Sequence, residues 1–302
     1  MKLTLILVIS SILAYGSADK EEVLENPTLK TLSGALSSWS LYSTFTYKGG
    51  SLEKPLSSER PNITKAAEEP GLTSLSGVVG IKYRLSKKDN LSLQVGTYMT
   101  APFHTNYDGN SSKNEEDFNN NNGRLDLDDP VISYFRTYYV GSIQNISFFK
   151  YQHSTRGIYT DYGYDSAFAF SQASAIPLGK KVYLAGTFTY TQFFFDKSST
   201  EHPLLGKTSL YPYQKEREYK LSLAMEYYLN PKFALRAITD LGVYFQMRGD
   251  ELDDLDHQPL QQTIAMTYFI NRDISIAPNL RFIAEDIRSD RTNVGLSLNV
   301  NI

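Results

Sequence analysis

The sequence has 302 residues, no cysteine and a formal charge of −3. Disulfides, thiol catalysis and thiolate metal sites are thereby excluded, and the charge offers nothing to a nucleic acid. Tyr (22) and Phe (16) far outnumber the single Trp, a mixture that suits strands.

The chain opens with Lys2, the apolar run LTLILVISSILA and the small residues Gly16, Ser17 and Ala18. This is the pattern of a secretory signal peptide, expected at 1–18, with cleavage after Ala18 or after Gly16. The run is short for a spanning helix, which needs about 20 apolar residues. No Cys follows, so lipid attachment there is not expected. Residues 19–33 are charged and carry Pro27. They are expected as an N-terminal periplasmic segment, with folding into a lumen as a partial plug as the alternative. Residues 34–302 read as one unit.

From there the chain repeats one pattern, an alternation of apolar and polar residues with period 2. Trp39, Leu41, Phe45 and Tyr47 share a parity, then Leu75, Val79, Ile81 and Tyr83, then Leu91, Leu93 and Val95. Further strands are expected near 131–140, 145–155, 165–176 and 182–195. The cleanest alternation comes late, at 219–229 and 233–245, followed by 260–270, 274–285 and 293–302. The total is about twelve strands, within a range of about ten to fourteen, each near the length that suits a tilted membrane strand.

The connections alternate long and short. Residues 86–90, 141–144, 177–181, 230–232 and 271–273 are short; 48–72, 101–130 and 196–217 are long. Transmembrane barrels place short turns on the periplasmic side and long loops outside. Aromatics near strand ends (Tyr47, Tyr83, Tyr190, Tyr227, Tyr268) fit a membrane boundary. The last strand, TNVGLSLNVNI, is expected to close the sheet on the strand at Trp39, so that every backbone group is paired. The expected fold is all-β, a transmembrane antiparallel up-and-down barrel.

This arrangement resembles the bacterial outer-membrane β-barrel family over the whole chain after residue 18. The resemblance implies a Gram-negative outer membrane with both termini periplasmic. It implies contact with outer-membrane lipid, lipopolysaccharide and the assembly machinery. Members commonly end on an aromatic residue, where this chain has Ile302.

The polar parity holds Lys82, Arg84, Lys220, Glu226, Arg236, Asp240, Arg281 and Glu285. These are expected to line the lumen. Taking 230–232 as a three-residue turn sets Leu229 against Phe233, Glu226 against Arg236 and Ser222 against Asp240, with Lys220 diagonal to Asp240. The next hairpin sets Thr263 against Arg281. Opposite charges facing across strands interact favourably. The expected function is a channel for passive diffusion of small hydrophilic solutes through a mixed-charge lumen. The alternative is a non-conducting structural or adhesin-like barrel acting through long loops rich in Tyr (Tyr107, Tyr159, Tyr162, Tyr164, Tyr211, Tyr213).

Two acidic stretches, 114–130 and 249–257, hold hard oxygen ligands. Asp126, Asp128 and Asp129 are candidates for a loop-bound Ca²⁺, although the EF-hand order is absent. No other cofactor is expected. YQHSTRGIY (151–159) is similar to the H-x-S-N-G motif of outer-membrane phospholipases, with Thr155 and Arg156 replacing Ser and Asn. A lipid hydrolase around His153 is the lesser alternative. Asp126-x-Asp128 and Asp254-x-Asp256-His257 partly match the omptin proteases, with the wrong spacing in the second half.

Overall fold

The computed structural model describes residues 23–64, 70–104, 125–202, 206–251 and 255–302. The expected signal peptide lies outside them. Twelve long strands form the body. They are β1 (Trp39–Ser51), β2 (Ser74–Arg84), β3 (Asp89–Thr100), β4 (Leu125–Val140), β5 (Ile143–His153) and β6 (Tyr164–Pro177). β7 (Val182–Phe195), β8 (Lys215–Asn230), β9 (Phe233–Met247), β10 (Gln261–Phe269), β11 (Ile274–Phe282) and β12 (Asn293–Val300) follow. Each pairs antiparallel with its sequence neighbours.

β12 pairs with β1 from Ser43↔Val300 to Lys48↔Gly295, and Leu41 N donates to Ile302 O. That pairing closes the barrel, as the alternation of the last strand predicts. Among the described residues, no strand of the ring is left without a partner on either side.

The two parities separate by exposure. Ile81, Leu93, Ile132, Met225 and Ile264 are 51–54% exposed. Their neighbours Lys82, Ser92, Ser133, Glu226 and Ala265 are buried. A soluble barrel would carry the apolar set inside. Here it faces outward as a continuous belt, which water cannot stabilise and a hydrocarbon layer does. Aromatic pairs lie toward the strand ends, Trp39 tilted against Tyr83 at 4.6 Å and Phe233 stacked on Tyr268 at 4.8 Å.

The short turns at 85–88, 141–142, 178–181, 231–232 and 270–273 share one end of the barrel, called here the short-turn end. The long connections share the other. Two of these carry their own small hairpins, Glu59–Arg60 with Gly71–Leu72 and Ser199–His202 with Gly206–Ser209.

Two expectations of register need correction. Asn230, not Leu229, opposes Phe233 across a two-residue turn, and Leu229 becomes the extra residue of a bulge. Asn230 Oδ1 accepts from the backbone N–H of Lys232 and Phe233, which tightens the turn. The bulge absorbs the difference, so Glu226 still faces Arg236 and Ser222 still faces Asp240. A second shift lies between Leu221 and Ser222, so Lys220 opposes Val243 instead of approaching Asp240.

The lumen and its N-terminal helix as candidate functional site

Residues 23–36 enter the lumen at the short-turn end. Their centre is α1 (Pro27–Ser33). Asn26 caps it: Asn26 Oδ1 accepts from Leu29 N at 2.9 Å, and Pro27 occupies the first helical position, where no N–H is needed. Gly34, at φ 73°, ends it in a conformation that an L side chain rarely adopts.

α1 is amphipathic, and each face has its own wall. Leu24 and Leu29 pack with Phe135, Ile146, Phe148, Ala173 and Ala175, the inward residues of β4–β6, and Leu32 joins them. Thr28 and Thr31 point the other way, toward β9–β12.

Polar bonds fix α1 from every side. Gln144 Oε1 accepts from the backbone N–H of Glu25 and Asn26, at 2.8 and 2.7 Å. Asn26 Nδ2 donates to Glu226 Oε2 at 2.9 Å, and Tyr228 OH donates to the same oxygen at 2.8 Å. Lys82 Nζ donates to the carbonyls of Ser33 and Ala35. Arg84 reaches Leu36 O, Arg272 reaches Gly34 O, Tyr42 reaches Leu32 O and Asn301 reaches Thr31 O. Helices leave their last carbonyls unpaired. Here the barrel wall supplies the donors.

The expected wall charges therefore fall into three groups. Lys82, Arg84 and Glu226 are on the inner wall but lie beneath α1, 1–3% exposed, and hold it. Arg236, Asp240, Arg281 and Lys220 face open lumen. Arg236 Nε lies 2.9 Å from Glu226 Oε1 and Arg281 Nη2 lies 3.1 Å from Asp240 Oδ2. Thr263 opposes Arg281, and its hydroxyl accepts from Arg281 Nε at 3.4 Å. Lys220 Nζ pairs with Glu218 at 2.5 Å. Glu285 is not on the wall. β11 stops at Phe282, and Glu285 is exposed in the following turn, where Ala284 N donates to Gln262 Oε1 and Asp286 N to Ile283 O.

Above α1 the lumen opens into two cavities. One, of about 390 Å³, runs along the Thr28 and Thr31 face beside β9–β12. The other, of about 920 Å³, lies over Leu32 and is walled by β1–β8. Small side chains leave this space: Ala167, Ala169, Ser171 and Thr187, Thr189, Thr191 face inward on β6 and β7.

In overall shape this barrel matches solved membrane channels. An outer membrane channel from Pseudomonas putida F1 superposes with a TM-score of 0.52 at 11% identity, over 88% of this chain and 97% of that one. The NanC porin gives 0.44 at 8% identity, over 87% and 98%. The KdgM porin, solved in complex with disordered oligogalacturonate, gives 0.40 at 7% identity, over 87% and 99%. At such identities the likeness concerns fold alone, that of a closed antiparallel β-barrel. No protein-family model and no curated protein sequence matches the chain.

The other candidate residues are placed as follows. His153 is exposed with Phe149 and Tyr151 on the outer face of β5, while Lys150, Gln152 and Ser154 line the lumen. Thr155 Oγ1 donates to Asp129 Oδ1 at 3.3 Å, and Thr155 N and Arg156 N donate to the same oxygen. Gln152 Nε2 donates to Asp129 Oδ2 at 2.6 Å. Asp129 thus fastens the loop after β5 to the wall. The side chains of Asp126 and Asp128 lie outside the described residues, as do Tyr107, Asp253 and Asp254. Of the loop tyrosines, Tyr159 packs on Tyr164 and Tyr162 on Tyr213.

Sequence reasoning missed Lys48, Arg60, Lys150 and Glu218. Lys48 continues the inward parity of Tyr42, Thr44 and Thr46, one residue beyond the expected strand end. Lys150 and Glu218 were open to the same parity argument on their strands. Arg60 sits in a loop hairpin that folds back into the lumen, and no periodic signal reaches it.

Proposed function

We propose that the protein is an outer-membrane channel through which small hydrophilic solutes diffuse, with short turns and both termini in the periplasm. The single observation that carries this reading is the pair of cavities inside the barrel, which small hydroxyl, amide and methyl side chains leave open between the charged and aromatic ones. A barrel built only for rigidity would fill that space with interlocking side chains. α1 is then a resident constriction. It covers the β4–β6 side of the short-turn end with its leucines and leaves a hydroxyl-lined passage beside β9–β12. Mixed charge on that wall, Arg236, Asp240 and Arg281, meets the solute there. The outward apolar belt supports contact with outer-membrane lipid, and the resemblance to the outer-membrane barrel family adds lipopolysaccharide and the assembly machinery as partners.

The test is single-channel recording of the full chain refolded into a planar bilayer. Discrete conductance steps of reproducible size are expected. Silence from a protein whose strand content is intact by circular dichroism would overturn the channel reading.

A further inference from the structure

The smaller cavity collects charge of one sign. Lys48 reaches it from β1, Arg236 from β9 and Arg281 from β11. Arg60 reaches it from the hairpin between β1 and β2, which turns down into the barrel mouth. Among the described residues, the one carboxylate on its lining is Asp240, and that group pairs with Arg281. Arg236 is paired from behind by the buried Glu226.

Lys48 and Arg60 have no carboxylate partner among the described residues. Arg60 is held by neutral carbonyls: its Nη1 donates to Gly49 O at 2.5 Å and to Val294 O at 3.3 Å. Those bonds fix its position and leave its charge uncompensated. Arg60, Arg281 and Lys220 all bear electrostatically on Lys48.

Like charges gathered on one face oppose folding unless something of opposite sign joins them. The larger cavity is nearer balance: Lys150, Lys215 and Lys220 line it together with Asp129 and Glu218, and Lys215 and Lys220 both lie on Glu218. The positive excess is therefore greater in the passage beside α1. A narrow cleft lined by one sign of charge, with low-dielectric walls, concentrates counter-ions.

We propose that Lys48, Arg60 and Arg281 form an oxyanion site in the lumen, and that the solutes favoured by the channel carry a carboxylate or phosphate group. The second half of this rests on the channel reading above; the first half does not. A guanidinium fixed at one nitrogen keeps its other N–H donors for a planar oxyanion, and an ammonium beside it adds a mobile donor.

Two measurements on the refolded full chain separate the two halves. Calorimetric titration in detergent uses inorganic phosphate against the wild type and the Lys48→Gln, Arg60→Gln double variant. The expected result is saturable binding in the wild type, weakened at least about tenfold in the double variant, with Arg60→Lys retaining most of it. Reversal potential in a KCl gradient is expected to show chloride preferred over potassium, and the double variant is expected to lose that preference. Conducting wild-type channels with no phosphate binding and no anion preference would overturn the site. So would equal binding in wild type and double variant. A barrel that binds phosphate through these residues and conducts nothing would keep the site and overturn the channel reading.

Discussion

Asn26→Ala should weaken the docking of α1 in the lumen without unfolding the barrel. The side chain, fully buried, makes two bonds: Oδ1 caps the helix at Leu29 N, and Nδ2 donates to the Glu226 carboxylate. Loss of an N-cap costs about 1 kcal/mol. Loss of a hydrogen bond to a charged group costs about 1.5–3 kcal/mol. Together, about 2.5–4 kcal/mol leaves the docked state, and each 1.4 kcal/mol is tenfold in an equilibrium. The ratio of docked to undocked helix should fall by roughly two to three orders of magnitude. The backbone bonds to Gln144 and the grip of Lys82, Arg272 and Asn301 on carbonyls 31–35 survive, so α1 stays tethered. Single-channel recording should then show visits to a higher conductance level that the wild type rarely reaches. Asn26→Asp keeps the cap but sets a second carboxylate against Glu226, and should increase those visits further. Conductance levels and dwell times identical to wild type, in a barrel with unchanged circular dichroism, would refute the assignment of α1 as the constriction.

Two further outcomes are expected. Leu223→Arg places a charge at the middle of the outward face of β8, where Leu223 is 42% exposed, and should destabilise the barrel in bilayers by about 2–4 kcal/mol; urea unfolding in lipid vesicles measures it. Arg236→Glu puts two carboxylates opposite each other on β8 and β9 and should shift ion preference toward cations, read as a change in reversal potential in a salt gradient.

The barrel was legible in the sequence because its signal is repeated twelve times over. Period 2 assigns each strand residue to lipid or lumen, and lipid punishes errors on one of those faces. Glu226 against Arg236 followed from one turn and survived a mistake in that turn, because Leu229 bulged out without moving the register. The strand ends were less legible. Glu285 keeps the parity of Arg281, yet the strand stops at Phe282, since nothing in alternation says where pairing ends. α1 was less legible still. Its seven residues, with a single Pro and two Thr, carry an amphipathic signal too short to distinguish a helix in the periplasm from one in the lumen.

Alternation also says nothing of depth, and depth separates the two roles played by the same inward parity. Lys82 and Arg281 look alike as strand cations facing the lumen. Lys82 lies near the turn at 85–88, at the level of α1, and its ammonium meets carbonyls that a helix terminus leaves open. Arg281 lies near the far end of β11, above α1, and meets Asp240 and open water. One cation belongs to the closure and the other to the passage. The difference arises from which segment of the chain re-enters the barrel at that height: α1 from the short-turn end, the hairpin carrying Arg60 from the other. A twelve-stranded wall is wide enough to hold both and still leave space between them. On the channel reading proposed above, passage is then governed by two short re-entrant segments acting on charges that the strands hold in place.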